Sequence, residues 1–104
     1  MSNMSKACEF DKRTIRKIRE RDSGCCILCG KPWKLQTAHY IGRAHGGLGI
    51  EQNGVTLCID CHQAFDNGDK RKEFGALIRD YLKSNYSNWN EKDLVYDKYR
   101  WVIK

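Results

Sequence analysis

Two short pairs with one spacing constrain this chain more than any other feature: Cys26-x2-Cys29 and Cys58-x2-Cys61. A tight turn across two intervening residues aims both sulfurs the same way, so each pair presents two thiolates to one ion. Two such knuckles close a tetrahedron of four sulfurs, the geometry of structural zinc. The spacer between them is longer than in short zinc modules, so it must hold structure of its own. Leu35 to Leu57 supplies that structure as strand, loop and strand, with zinc pinning the base of the hairpin. Metal binding of this kind contributes on the order of 10 kcal/mol to folding. Buried free cysteines or a redox pair are the competing account, and paired knuckles in a short chain favour metal. Cys25 and Cys29 offer another pairing. The two-residue spacing of the second knuckle favours Cys26, which leaves Cys8 and Cys25 as ordinary free thiols.

A chain of 104 residues makes one small domain, expected here over residues 1–104. Its core buries only part of the chain surface, so cross-links help. No apolar run approaches a membrane span, and the opening MSNMSKACEF is polar and mixed, unlike a signal peptide. The expectation is a cytoplasmic protein with reduced thiols and no membrane partner. The sequon Asn85-Tyr86-Ser87 then has no role. Nineteen Lys and Arg give a formal charge of +6 and invite a polyanion. Zinc with four thiolates adds about −2, so the loaded protein stays basic.

Residues 11–22, DKRTIRKIRERD, read as a helix with Asp11 as N-cap and Ile15 and Ile18 on one face. Lys12, Arg13, Arg16, Lys17, Arg19 and Arg21 cover the rest, either as a solvated face or as phosphate contacts. Leu35–Ile41 has strand character, 42–54 is a glycine-rich loop, and Val55–Leu57 is a second strand. A short helix is expected over His62–Asn67, stopped by Gly68. After Asp69, the spacing of Phe74, Leu77, Ile78, Tyr81 and Leu82 predicts an amphipathic helix with those side chains in the core. Asn90 is a candidate cap for a last short helix, with Leu94, Tyr96, Tyr99 and Trp101 packing behind it.

With zinc satisfied by sulfur, His62 is available for other work. Asp66 lies one helical turn on, so both face one side. His39 stands on the first strand, across the loop. A strand histidine opposite a helix histidine and carboxylate is a constellation suited to metal-assisted hydrolysis.

The motifs CILC, AHYIGRAHGG, EQN and GVTLCIDCH followed by Asp66 occur in order between residues 26 and 66. This segment resembles the HNH family of ββα-metal endonucleases, of the small type with a four-cysteine zinc site that phages encode. His39, Asn53 and His62 fall at the three positions of the family's name. The resemblance implies an α+β fold: a ββα-metal core over about residues 26–68, flanked by N- and C-terminal helices. It implies a metal-dependent endonuclease acting on duplex DNA, which the basic helix would position through backbone contacts. His39 would be the general base, Asn53 would hold it through hydrogen bonds, and His62 would bind a catalytic divalent ion (Mg²⁺, Mn²⁺ or Ni²⁺) with Asp66 as a further ligand. Arg16, Arg19 and Arg43 would contact DNA. The chain would act as a monomer or homodimer. Ala38 stands where many members carry a metal-binding Asp or His. A shifted register would make His39 the ligand and Tyr40 the base. The competing function is a zinc-ribbon-like nucleic-acid-binding module without activity.

Overall fold

The computed structural model describes residues 3–97. A short helix α1 (Asn3–Ala7) precedes α2 (Lys12–Arg21). The Asp11 carboxylate accepts the Thr14 N–H at 2.7 Å and starts α2 where the sequence places it. Ile18 is fully buried beneath it. Strands β1 (Leu35–His39) and β2 (Gly54–Cys58) form an antiparallel ladder that runs from Leu35 opposite Cys58 to His39 opposite Gly54. Helix α3 (Ile59–Asp66) follows β2 directly and α4 (Arg71–Asn85) follows α3. This is a small α+β fold, consistent with a ββα-metal core.

The boundaries differ from expectation for physical reasons. β1 stops at His39, not Ile41, because the Ile41 backbone is taken by a side chain. Its N–H donates to Asn53 Oδ1 at 2.8 Å, and its carbonyl accepts from Asn53 Nδ2 at 3.1 Å. α3 begins a turn before His62, at Ile59. Cys58 caps it, its sulfur accepting the Cys61 N–H at 3.5 Å, so the second knuckle is itself the first helical turn. His62 therefore sits inside α3 and does not open it.

Leu77 is 51% exposed, contrary to its expected place in the core. The buried face of α4 centres on Ile78 and Leu82, with Phe74 and Tyr81 beside them. Leu77 precedes Ile78, and one residue turns a helix by about 100°. Val55, Leu57, Ala38 and Phe65 complete this core together with Cys26 and Cys58.

The loop between the strands contains two single 3₁₀ turns, Arg43–His45 and Glu51–Asn53. Gly46 has φ of 80°, and a Cβ on Gly47 would fall 1.6 Å from the Ile41 carbonyl oxygen, so neither position accepts a side chain without strain. The chain on either side braces this loop. The Gly49 N–H donates to Ala7 O at 2.9 Å, the Leu48 N–H to Leu94 O at 2.8 Å, and the Tyr96 N–H to Gly46 O at 2.7 Å. Asn90 caps the short turn Glu91–Leu94 through the Lys92 N–H, and Leu94 is buried. Tyr99 and Trp101 lie outside the described residues.

Arg21 departs furthest from the expected solvated face. Its guanidinium is half-buried and donates to the Asp22 carboxylate, the carbonyls of Glu51 (2.8 Å) and Gly54 (2.7 Å), and the Tyr86 hydroxyl (2.9 Å). Burial works against its charge, but the Asp22 and Tyr86 oxygens outweigh burial and raise its pKa. The buried Asp22 carboxylate also accepts from the Thr56 N–H at 2.8 Å and from the Tyr81 hydroxyl. One ion pair thus joins α2, β2 and α4. Removing one partner of a buried pair leaves the other uncompensated and costs about 3–5 kcal/mol. Asp22→Ala is expected to destabilise by that amount and Tyr81→Phe by about 1 kcal/mol, read from denaturant unfolding midpoints.

Candidate metal and catalytic site

The ligand atoms of Cys26, Cys29, Cys58 and Cys61 all lie within 4.8 Å of one another. Cys25, next in the chain, is not in the cluster. The first knuckle is a turn closed by the Gly30 N–H donating to Cys26 O at 2.8 Å. The Ile27 N–H ties it to β2 through Thr56 O at 3.0 Å. The second knuckle is the β2–α3 junction. Burial raises the Cys26 thiol, but the main-chain N–H groups of Cys58, Cys29 and Leu28 prevail and bring it to about 7. Burial and the neighbouring sulfurs push Cys61 far up. Crowded sulfurs of this kind ionise together only with a cation among them, so the donor set can hold a metal ion and is consistent with zinc.

At the other end of the ladder, His39 is held by residues that sequence reasoning passed over. Its Nε2 lies 2.7 Å from the Cys8 carbonyl oxygen. The Phe10 ring packs on it with centroids 4.2 Å apart. A carbonyl oxygen only accepts, so Nε2 carries the proton and Nδ1 keeps its lone pair in the neutral ring. Burial, helped by the Arg43 charge, lowers the His39 pKa despite the Cys8 hydrogen bond. Cys8, expected as an ordinary thiol, is buried, and its backbone is the part that matters here. Main-chain carbonyls leave no mark in a sequence.

Asn53 is fully buried at the foot of the loop. Besides both groups of Ile41, it reaches Leu48 O through Nδ2 at 2.9 Å, and its own carbonyl accepts the Tyr40 N–H at 2.8 Å. These bonds anchor the chain immediately after His39.

On α3, His62 Nε2 lies 3.0 Å from Asp66 Oδ2, and His62 Nδ1 lies 2.6 Å from Gln36 Oε1 on β1. The structure thus brings His62 and Asp66 together. His39 does not join them in a three-ligand group, since among the described residues only the cysteines form one. Imidazole and carboxylate beside each other are nonetheless a donor pair that fits a divalent ion completed by water and phosphate. Ala38 is buried against Val55 and offers no ligand. The Tyr40 hydroxyl donates to Glu91 at 3.0 Å, and burial together with Glu91 pushes its pKa up to about 12, which makes it a poor base.

Of the three arginines expected at DNA, Arg16 and Arg43 are exposed, and Arg43 also reaches Ser5 O at 3.4 Å. Arg19 leans on β1, 3.5 Å from both Gln36 O and Thr37 Oγ1. A separate cleft of about 660 Å³, lined by Tyr40, His45, Arg71, Lys72 and Arg79 among others, opens between the loop and α4. No described helix is long and apolar enough to cross a membrane.

No curated protein matches this chain. Residues 25–69 match the HNH endonuclease family. That span contains all four clustered cysteines, Asn53 with its loop, and His39, His62 and Asp66, so over these residues the chain is similar to the HNH endonuclease family.

Proposed function

We propose that the chain is a metal-dependent DNA endonuclease in which His39 is the general base. The observation that carries this reading is the state of His39: a ring with lowered pKa, its proton directed at Cys8 O and its lone pair at Nδ1, inside a segment that matches the HNH endonuclease family. Nδ1 would take the proton of the attacking water, and Asn53 would keep the strand end in place. His62 Nε2 and Asp66 Oδ2 would hold the divalent ion. When bound, that ion supplies positive charge at the scissile phosphate and the leaving 3′ oxygen. Products with 5′-phosphate and 3′-hydroxyl ends follow. Arg16 and Arg43 would meet the DNA backbone, with Arg19 partly withheld by β1. A monomer with one such site would nick, and cutting both strands would need two copies. The cysteine cluster would hold zinc as a scaffold, which calls for a reducing compartment such as the cytoplasm.

Ala38 favours a second reading, a nucleic-acid-binding module without activity. A supercoiled-plasmid nicking assay with Mg²⁺, Mn²⁺ or Ni²⁺ separates the two, because only the endonuclease relaxes the plasmid.

Three outcomes are expected. Freshly purified protein should contain about one zinc per chain by elemental analysis. Cys58→Ser should lose the zinc and the fold, while Cys25→Ser, outside the cluster, should keep both; a folded wild type without zinc contradicts the scaffold role. For the chemistry, His39→Ala should lower the nicking rate by about 10²–10⁴-fold with zinc content unchanged. The base works only when unprotonated and its pKa lies below the ordinary histidine value of 6.5. The rate should therefore rise with pH by about tenfold per unit on the acid side and level off by about pH 6.5. For binding, duplex affinity should fall steeply with salt. Arg16→Glu and Arg43→Glu should each weaken it and reduce the salt slope by about one, by fluorescence anisotropy. Unchanged affinity in both would make these side chains a solvated face.

A further inference from the structure

We infer that Gln36 is a positioning residue for the ion at His62 and Asp66: its side-chain oxygen fixes which imidazole nitrogen of His62 turns to the metal. The inference rests on the reading of that pair as a metal site. Gln36 lies on β1 opposite Leu57, and its Oε1 stands 2.6 Å from His62 Nδ1. The other ring nitrogen, Nε2, stands 3.0 Å from Asp66 Oδ2. An imidazole that gives the Nε2 lone pair to a cation retains one proton, on Nδ1. That proton needs an acceptor, and Gln36 Oε1 is already within hydrogen-bond distance. Histidines that bind metals almost always donate their second N–H to an oxygen, which sets the ring orientation and makes the metal-facing nitrogen more basic.

The placement on β1 strengthens the case. Successive strand side chains alternate, so residues 36 and 38 share a face. Ala38 provides no donor from that face and is buried. The next side chain on the same face is Gln36, and it reaches the helix histidine. The strand therefore contributes to the site through one hydrogen bond to a ligand in place of a ligand of its own.

One competing arrangement uses the same atoms. A reversed carboxamide would donate its N–H to Nδ1, leaving the ring proton on Nε2 for Asp66, and such a ring has no lone pair for an ion. Glutamate in place of Gln36 tells the two apart, because a carboxylate can accept but cannot donate.

The experiment is Mn²⁺ binding to the full-length, zinc-loaded protein by titration calorimetry, with wild type, His62→Ala, Gln36→Leu and Gln36→Glu compared. Zinc content and unfolding midpoint serve as checks, and Gln36 is exposed, so neither replacement should disturb the core. Wild type is expected to bind one Mn²⁺ that His62→Ala loses. Gln36→Leu should weaken the dissociation constant by about 10–100-fold, and Gln36→Glu should restore it to wild type or tighter. If Gln36→Leu binds as tightly as wild type while His62→Ala does not bind, Gln36 has no such role and the metal site stands. Equal weakening in Gln36→Leu and Gln36→Glu also overturns the inference, since an acceptor at that place would then be without effect. If wild type and His62→Ala behave alike, the metal site itself is wrong and the inference falls with it.

Discussion

A two-stranded ribbon with five residues in each strand does not stand by itself in water, so everything here depends on what closes its two ends. At one end Leu35 faces Cys58, and the four sulfurs gather around the junction of β2 with α3. At the other end His39 faces Gly54, and the carboxamide of Asn53 takes both backbone groups of Ile41. The first closure can be made by a cation, the second by hydrogen bonds alone. Between them the buried Arg21–Asp22 pair presses α2 and α4 against β2. The chemistry-bearing side chains lie on this ribbon and on the helix that continues it, so their positions inherit the stiffness of both closures.

His39 and His62 differ in what holds them. His39 is oriented by a backbone carbonyl and an aromatic ring, and His62 by a carboxamide and a carboxylate. A carbonyl beside a half-buried ring suits a neutral imidazole with one nitrogen left open. Oxygen acceptors on both sides of a ring on a helix face suit a ligand whose direction matters. The same amino acid can thus take two roles because its neighbours differ, and charge alone would not separate them.

Much of this was legible in the sequence. Cysteine spacing named the cluster because thiolate ligands must come from tight turns. Asp11 announced α2, and the glycines of 42–54 announced the loop after β1. What escaped has common causes. Cys8 acts through its carbonyl, which every residue possesses. Gln36 is a polar residue on a strand, and only the fold brings it to His62. Arg21 and Asp22, adjacent and opposite in charge, look like an ordinary surface pair until Tyr81 and Thr56 are seen around them. The start of α3 was missed because cysteine is not counted among helix caps, although Cys58 performs that task. Leu77 shows the limit of periodicity: it fits the stripe, but neighbouring helices cover only part of that stripe.

The hydrogen bond from His39 to Cys8 spans 31 residues, and the sulfur cluster is completed only by Cys61. During synthesis the N-terminal segment therefore leaves the ribosome long before its partners exist. The first knuckle can offer only two sulfurs until the second has emerged, and α1 has no Gly49 to receive from until that loop is made. The chain cannot assemble in order from its beginning. Its earliest third lacks the partners of its folded contacts until one late segment supplies strand, helix and the last cluster sulfurs at once.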